Sequence, residues 1–249
     1  MKAMVLCAGF GTRLGNLTRE IPKPMLPLGT QPLLAYVLGH LRQQGFREVC
    51  MNLHFRPESI RSVFGDGSRW DMRFHYTFEP ALLGTAGGVK NAQDQFCREP
   101  CFLIQYGDIL TDHNLSALIR FHLERNALAT LLVHPRPRSN SAVTLDPEGR
   151  IVGFLERPSD AARSEVETPW VNSGICVASP ELLDHIPASR PADLPRDIFV
   201  PLVPTGRLFA MPLAGFRVAI DSPERLDLAR KALEDGQCRV APLDTTLSP

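Results

Sequence analysis

Short apolar runs alternate with amphipathic stretches along most of this chain. Ala3-Met4-Val5-Leu6-Cys7-Ala8 is the first such run, and it ends directly in Gly9-Phe10-Gly11-Thr12-Arg13. An apolar run of this kind, closed by turn residues, reads as a buried strand. Gln31-Pro32 opens a helix through about Gln44, with Pro32 suited to a first helical position and Gly45 to the residue past the end. Glu48 to Leu53 is the second strand, Pro57 to Phe64 a helix stopped by Gly65-Asp66-Gly67, and Met72 to Thr77 the third strand. Thr85 to Phe96 is helical after another glycine loop, and Phe102 to Tyr106 is an apolar strand ending in Gly107-Asp108. Leu115 to Arg125 is helical and Ala127 to Val133 is a buried strand. This β-α-β alternation predicts an α/β fold with a mixed, mostly parallel sheet and helices on both faces.

The second half is less regular. Ala142 to Leu145 and Arg150 to Glu156 are strands joined by Asp146-Pro147-Glu148-Gly149, a good hairpin turn. Arg157 to Pro169 is polar and reads as a loop, Trp170 to Ala178 as a strand, and Leu208 to Leu213 and Arg217 to Ile220 as short strands. Ser222-Pro223-Glu224 starts the last helix with a cap, a first-position proline and an acidic first turn. The pattern gives one domain over residues 1–236, followed by an aperiodic stretch, 237–249, expected to fray.

Composition narrows the function classes. Basic and acidic side chains balance at 27 each, which argues against a general nucleic-acid or anionic-membrane partner. No apolar stretch approaches the roughly 18 residues of a membrane span, and no secretory leader is visible, so a reduced cytoplasm is the expected compartment. Four of the six cysteines, at 7, 50, 101 and 176, lie in or beside apolar strand-like runs, where cysteine behaves as a small hydrophobe. Cys97 and Cys101 lack a second pair at zinc spacing, and the seven histidines show no metal or triad spacing.

The chemistry concentrates between Gly9 and Pro27, GFGTRLGNLTREIPKPMLP. A strand feeding a glycine loop lets backbone N–H groups approach phosphate oxygens. Arg13 and Lys23 add a planar fork and a point charge that can neutralise a polyphosphate. The loop lacks the third glycine of a dinucleotide fingerprint and the G-K-[ST] of a P-loop. In open α/β sheets ligands sit beyond the carboxyl ends of the strands, where Gly9 to Arg13, Glu79 to Gly88 and Gly107-Asp108 all fall.

The combined G-x-G-T-R-L … P-K-P-M-x-P pattern resembles the signature of the sugar-1-phosphate nucleotidylyltransferases. The likeness is strong from Met1 to Leu34 and runs more weakly to about Leu233. It implies a Rossmann-like domain that joins an NTP to a sugar 1-phosphate and releases pyrophosphate. The resemblance assigns Ala8, Gly9, Gly11, Thr12, Arg13 and Lys23 to the nucleotide, with Arg13 and Lys23 acting in catalysis. Glu79, Gly84 and Thr85 correspond to the base and ribose loop. An acid at 79 can accept from two adjacent donors, which guanine offers and adenine does not. Asp108 is expected to hold Mg2+. Asp221 is the candidate second ligand, although the family's D-x-G-T-P-E reads Ala219-Ile220-Asp221-Ser222-Pro223-Glu224 here. Residues 219 and 221 would share a face of an extended strand; the other reading of Asp221 is a helix cap. Glu156, Arg157 and Asn172 correspond to acceptor contacts, with Arg157 in place of lysine and Ala142 where glycine is common.

GTP with mannose or heptose 1-phosphate is the favoured pair. A uridylyl- or cytidylyltransferase acting on another sugar 1-phosphate or phosphorylated alcohol, and a catalytically silent nucleotide-sugar-binding regulator, are the alternatives. No hexapeptide-repeat tail is expected. Self-association is compatible with the sequence, which leaves the oligomeric state open.

Overall fold

The structure is a computed structural model that describes residues 1–136, 139–188 and 190–246; of the side chains at 13, 163 and 164 nothing is described. In chain order, strands β1 (Lys2–Leu6), β2 (Pro27–Leu28) and β3 (Gln31–Pro32) precede helix α1 (Leu33–Gln43). Then come β4 (Glu48–Leu53), α2 (Glu58–Phe64), β5 (Arg73–Phe78), α3 (Gly84–Asn91), β6 (Phe102–Tyr106), β7 (Ile109–Thr111) and α4 (Leu115–Glu124). The remainder adds β8 (Ala129–Pro135), β9 (Ser141–Leu145), β10 (Ile151–Glu156), α5 (Asp160–Ser164) and β11 (Trp170–Ala178). It closes with α6 (Val200–Leu202), β12 (Leu208–Pro212), β13 (Arg217–Ala219) and α7 (Pro223–Glu234). Seven strands make a mixed, mostly parallel sheet, as the alternation predicted. No helix among the described residues is long and apolar enough to cross a membrane.

The chain forms two compact units. The first comprises 1–82, 105–114 and 214–249. Here β5, β4 and β1 are neighbours and parallel, with Leu6 beside Asn52 and Asn52 beside Thr77. That register brings the carboxyl ends of the three strands level, so the loops leaving them share one edge. Ala3, Met4 and Val5 are fully buried, as are Leu33, Leu34 and Leu38 of α1. The predicted helix start moves: Gln31 and Pro32 pair with Leu28 and Pro27, and Pro32 stands in extended conformation just before the helix. At α7 the expected cap holds, the Ser222 hydroxyl accepting from Arg225 N at 3.4 Å.

The stretch expected to fray is instead fastened through residue 246. Leu243 N donates to the Ala35 carbonyl at 2.9 Å, Trp70 Nε1 to the Asp244 carbonyl at 3.1 Å, and Thr245 N to Gln31 Oε1 at 3.0 Å. Cys238, Val240 and Leu243 are buried. Their irregular spacing hid this anchoring, because a segment held by side chains and a helix carbonyl needs no period of its own. Residues 247–249 lie outside the described set.

The second unit comprises 83–104 and 115–213. In it β8 lies between β12, which is parallel to it, and β11, which is antiparallel. The β9–β10 hairpin turns where predicted, with Asp146 Oδ1 accepting from the amides of Glu148 and Arg150 at 3.0 and 2.8 Å. Phe96 stacks on Phe102 at 4.4 Å. Strand β8 is shifted by two residues, to Ala129–Pro135, and other ends move by about one residue; two differences are larger. Helix α3 stops at Asn91 because Ala92 leaves helical geometry, and Phe96 follows a separate short turn. The predicted loop after Arg157 contains the single turn α5.

Candidate active site

In the first unit β1 runs into Gly9, and the chain then winds through a tight turn, Thr12–Thr18. The Gly11 carbonyl accepts from Leu14 N at 3.0 Å and from the Thr18 hydroxyl at 2.8 Å, which closes the loop on itself. Ala8, Gly9, Gly11 and Thr12, the residues of the expected phosphate loop, lie between the end of β1 and the start of this turn. Arg13 belongs to the same turn by its backbone; its side chain is outside the described set. Lys23 begins the next short turn, Lys23–Met25, where Met25 N donates to the Pro22 carbonyl at 2.7 Å.

Lys23 Nζ is ion-paired and hydrogen-bonded to Asp108 Oδ2. Both side chains are mostly buried, 17% and 24% exposed, so the pair is shielded from the solvent screening that makes surface pairs weak. Asp108 Oδ1 is buried with no hydrogen-bond partner among the described residues. Gly107 permits this placement: a Cβ there would stand 3.0 Å from both Cys7 Sγ and the Leu6 carbonyl. Burial pushes the Cys7 thiol up, and the Asp108 charge adds to it, so Cys7 is no thiolate nucleophile.

An orphaned carboxylate oxygen suits a hard cation. No group of three His, Cys, Asp or Glu side chains converges among the described residues. A magnesium ion on Asp108 would accordingly draw most of its ligands from phosphate and water, with at most one further carboxylate, the usual pattern for that ion.

Asp221 follows β13, whose ladder with β7 sets Ala219 opposite Ile109. Ile220 N donates to the Asp108 carbonyl at 2.9 Å, so the chain reaches this neighbourhood. The shared-face argument for 219 and 221 does not hold, however. Asp221 N donates to the Ala219 carbonyl at 3.1 Å, a two-residue closure that turns the chain out of extended geometry. Asp221 Oδ1 pairs with Arg225 Nη1 at 3.2 Å, while the cap of α7 is Ser222.

Glu79 leaves β5 at the same edge and is 1% exposed. Asn52 Nδ2 donates to Glu79 Oε1 at 2.7 Å, and Asn52 Oδ1 accepts from Cys7 N at 2.9 Å. His54 Nδ1 donates to the Glu79 carbonyl at 2.7 Å, and its ring meets the half-exposed Phe10 edge-on at 5.0 Å. Asn52 and His54 were not among the sequence candidates. The one signal for Asn52 was an amide inside the apolar run Val49-Cys50-Met51-Asn52-Leu53.

The second unit holds the other candidates. Gly84 and Thr85 open α3, but the first amides of that helix are already engaged. Thr85 N donates to Asp193 Oδ1 at 3.2 Å, and Ala86 N and Gly87 N donate to the Ala192 carbonyl at 2.8 and 3.1 Å. The Thr85 hydroxyl accepts from Leu194 N at 2.8 Å. Gly84, at φ +75°, is explained by this packing: a Cβ would lie 2.4 Å from the Ala192 carbonyl oxygen.

Glu156 ends β10, mostly buried and 3.7 Å from Arg157 Nε. Burial pushes its carboxyl above the usual range, against the pull of Arg157. Arg157 is exposed and held at φ +50°, an uncommon conformation for a side chain of its size. Asn172 Oδ1 accepts from Gly174 N at 3.0 Å, and its own amide donates to Ser141 Oγ at 2.9 Å. These contacts bend β11 where its pairing with β8 slips between Asn172 and Cys176.

Fold and site together define an α/β protein with a glycine loop, a lysine and a mostly buried aspartate beyond the carboxyl ends of parallel strands. The chain belongs to the nucleotidyl transferase family, whose model matches residues 2–210. It is 36% identical over 223 residues to a UTP–glucose-1-phosphate uridylyltransferase of Synechocystis, covering 84% of this chain and 57% of that protein. It is 34% identical over 206 residues to a mannose-1-phosphate guanylyltransferase of Mycobacterium tuberculosis, covering 82% and 56%. The chain thus spans just over half the length of these curated relatives. The structure of HddC from Yersinia pseudotuberculosis complexed with GMP-PN superposes with a TM-score of 0.77 at 21% identity, covering 93% of this chain and 99% of that one.

Proposed function

We propose that this chain transfers a nucleotidyl group from an NTP to a sugar 1-phosphate, releasing pyrophosphate. The observation that carries the reading is the Lys23–Asp108 pair beside the glycine loop, in a chain of the nucleotidyl transferase family. A phosphate oxygen of the acceptor attacks the α-phosphorus in line, and the P–O bond to pyrophosphate breaks. Such chemistry depends on positioning and charge neutralisation rather than on a covalent enzyme intermediate.

Amides of Ala8, Gly9, Gly11 and Thr12 receive phosphate oxygens, Arg13 holds the β- and γ-phosphates, and Lys23 steadies charge at the α-phosphorus as the new bond forms. Asp108, with Asp221 as the candidate second carboxylate, holds Mg2+. When bound, the ion would supply Lewis-acid polarisation and charge neutralisation of the phosphates. Glu79 stands for base selection and Gly84 and Thr85 for the ribose, the latter two through atoms not engaged with residues 192–194. Glu156, Arg157 and Asn172 hold the acceptor.

GTP with a manno-configured sugar 1-phosphate is the preferred pair. The likeness to the mycobacterial guanylyltransferase and the acid at 79 support it; the likeness to the cyanobacterial uridylyltransferase makes UTP with glucose 1-phosphate the principal competitor. Six free cysteines suit a reduced cytoplasm. Pyrophosphate release measured for four NTPs against a panel of sugar 1-phosphates tests the reading. Turnover with GTP and mannose or heptose 1-phosphate is expected, and binding without turnover for every pair would replace it with a silent nucleotide-sugar binder.

A further inference from the structure

We infer that Lys23 is a placeholder cation on Asp108, which makes the site refuse a divalent metal on its own and accept one only together with a polyphosphate. The inference rests on the proposed nucleotidyl-transfer site and adds a coupling that the site assignment by itself does not contain.

Three observations support it. Lys23 Nζ already neutralises Asp108 Oδ2. The second oxygen, Oδ1, is buried and has no hydrogen-bond partner among the described residues, so the carboxylate is poorly solvated and relies on the lysine for neutralisation. Asp108 is also locked in place by its backbone, because Gly107 N donates to the Leu6 carbonyl at 2.9 Å and the Asp108 carbonyl accepts from Ile220 N. On that anchored backbone the short aspartate side chain has little reach, whereas the lysine, on a flexible four-carbon stem, can leave the carboxylate.

The electrostatic consequence follows directly. A divalent ion arriving alone would meet a neutral pair and leave two cations on one carboxylate in a poorly solvated place. A triphosphate arriving with it brings several negative charges. Lys23 then exchanges Asp108 for a phosphate oxygen, and the vacated carboxylate takes the metal. One movement of one side chain completes both halves of the site, and no charge is left unpaired before or after it. The lysine cation beside the carboxylate repels an arriving metal ion, the more so where solvent screening is weak. Removing it should therefore tighten binding of the metal alone by about tenfold or more.

The test is a titration of the purified full chain with Mn2+ in the absence of nucleotide, read by the electron paramagnetic resonance of free Mn2+. Lys23→Met and Lys23→Gln should each bind Mn2+ about tenfold or more tighter than the unmodified chain. Lys23→Arg should match the unmodified chain, and adding Asp108→Asn to Lys23→Met should abolish the gain. Circular dichroism establishes that each variant is folded. Equal Mn2+ affinity in Lys23→Met, Lys23→Gln and the unmodified chain overturns the placeholder role while leaving Asp108 as a metal ligand. If the gain in Lys23→Met persists when Asp108→Asn is added, the metal assignment itself is wrong and the inference goes with it.

Discussion

Asn52 joins Cys7 to Glu79: its amide group donates to Glu79 Oε1 at 2.7 Å, and its carbonyl oxygen accepts from Cys7 N at 2.9 Å. One side chain at the end of β4 thus ties the exit of β1 to the acid that leaves β5. Asn52→Leu would leave a buried N–H and a buried carboxylate oxygen each short of a partner. Leaving a buried polar group unsatisfied costs about 1–3 kcal/mol, more when it is charged. Urea unfolding should report a loss of about 2–4 kcal/mol, and an unchanged midpoint would show that Asn52 supports neither neighbour.

Lys23→Ala and Asp108→Ala should each slow pyrophosphate release by about 10²- to 10⁴-fold, the range expected when a positioned charge is removed from a developing transition state. Their far-ultraviolet circular dichroism should match that of the unmodified chain, since neither side chain fills the core. Near-normal turnover in either variant would remove that residue from the mechanism.

Gly84→Ala tests whether the glycine-rich stretch serves the protein's own packing. The new methyl group would sit 2.4 Å from the Ala192 carbonyl oxygen, at a backbone φ of +75°. Strain at such a position costs on the order of 1–3 kcal/mol. Thermal unfolding should therefore begin at lower temperature, and hydrogen exchange at Ala86 and Gly87 should accelerate as their bonds to Ala192 open. Exchange unchanged at those amides would mean that the loop accommodates the methyl group without moving.

Acid should destabilise the fold through two buried histidines. His40, whose Nε2 donates to the His113 carbonyl at 3.0 Å, and His122, beside the Thr130 hydroxyl at 3.0 Å, are each lowered by burial to about 4. Their folded values lie below the unfolded value of about 6.5, so the unfolded chain binds more protons between the two. Their contribution is thus complete above about pH 6.5 and is lost as pH falls toward 4, on the order of 3 kcal/mol for each at full effect. Unfolding free energy measured from pH 7.5 to 4.5 should fall over that window. In His122→Gln the fall should be shallower.

Thiol reactivity should be sharply uneven. Cys97 is exposed, while the other five cysteines are buried. Burial pushes Cys50, Cys176 and Cys238 up to about 12 and raises Cys7 and Cys101 as well. An aromatic disulfide reagent should therefore modify Cys97 quickly in the native protein and the others only after denaturation. Rapid reaction of Cys7 would show that the edge near Asp108 opens in solution.

What the amino-acid order determined by itself is the alternation of buried runs and helices, the punctuation between them, and the residue types at the loops beyond the strand ends. Those are local properties: apolar period, capping chemistry and glycine leave their mark within a few neighbours. Gly9 to Lys23 and Asp108 could be named for that reason. Tertiary structure alone decided the partners. Lys23 meets Asp108 across 85 positions and Asn52 meets Glu79 across 27, distances over which no period carries information. The same holds where expectation and structure parted. Gly84 makes room for Ala192, the closure at 219–221 turns Asp221 off its expected face, and residues 238–246 are held by α1 and its neighbours. At Ala192 and in the 238–246 stretch backbone groups found their hydrogen bonds in distant segments, a demand met only after the chain has folded, whereas the 219–221 closure is local and left no mark in the residue pattern.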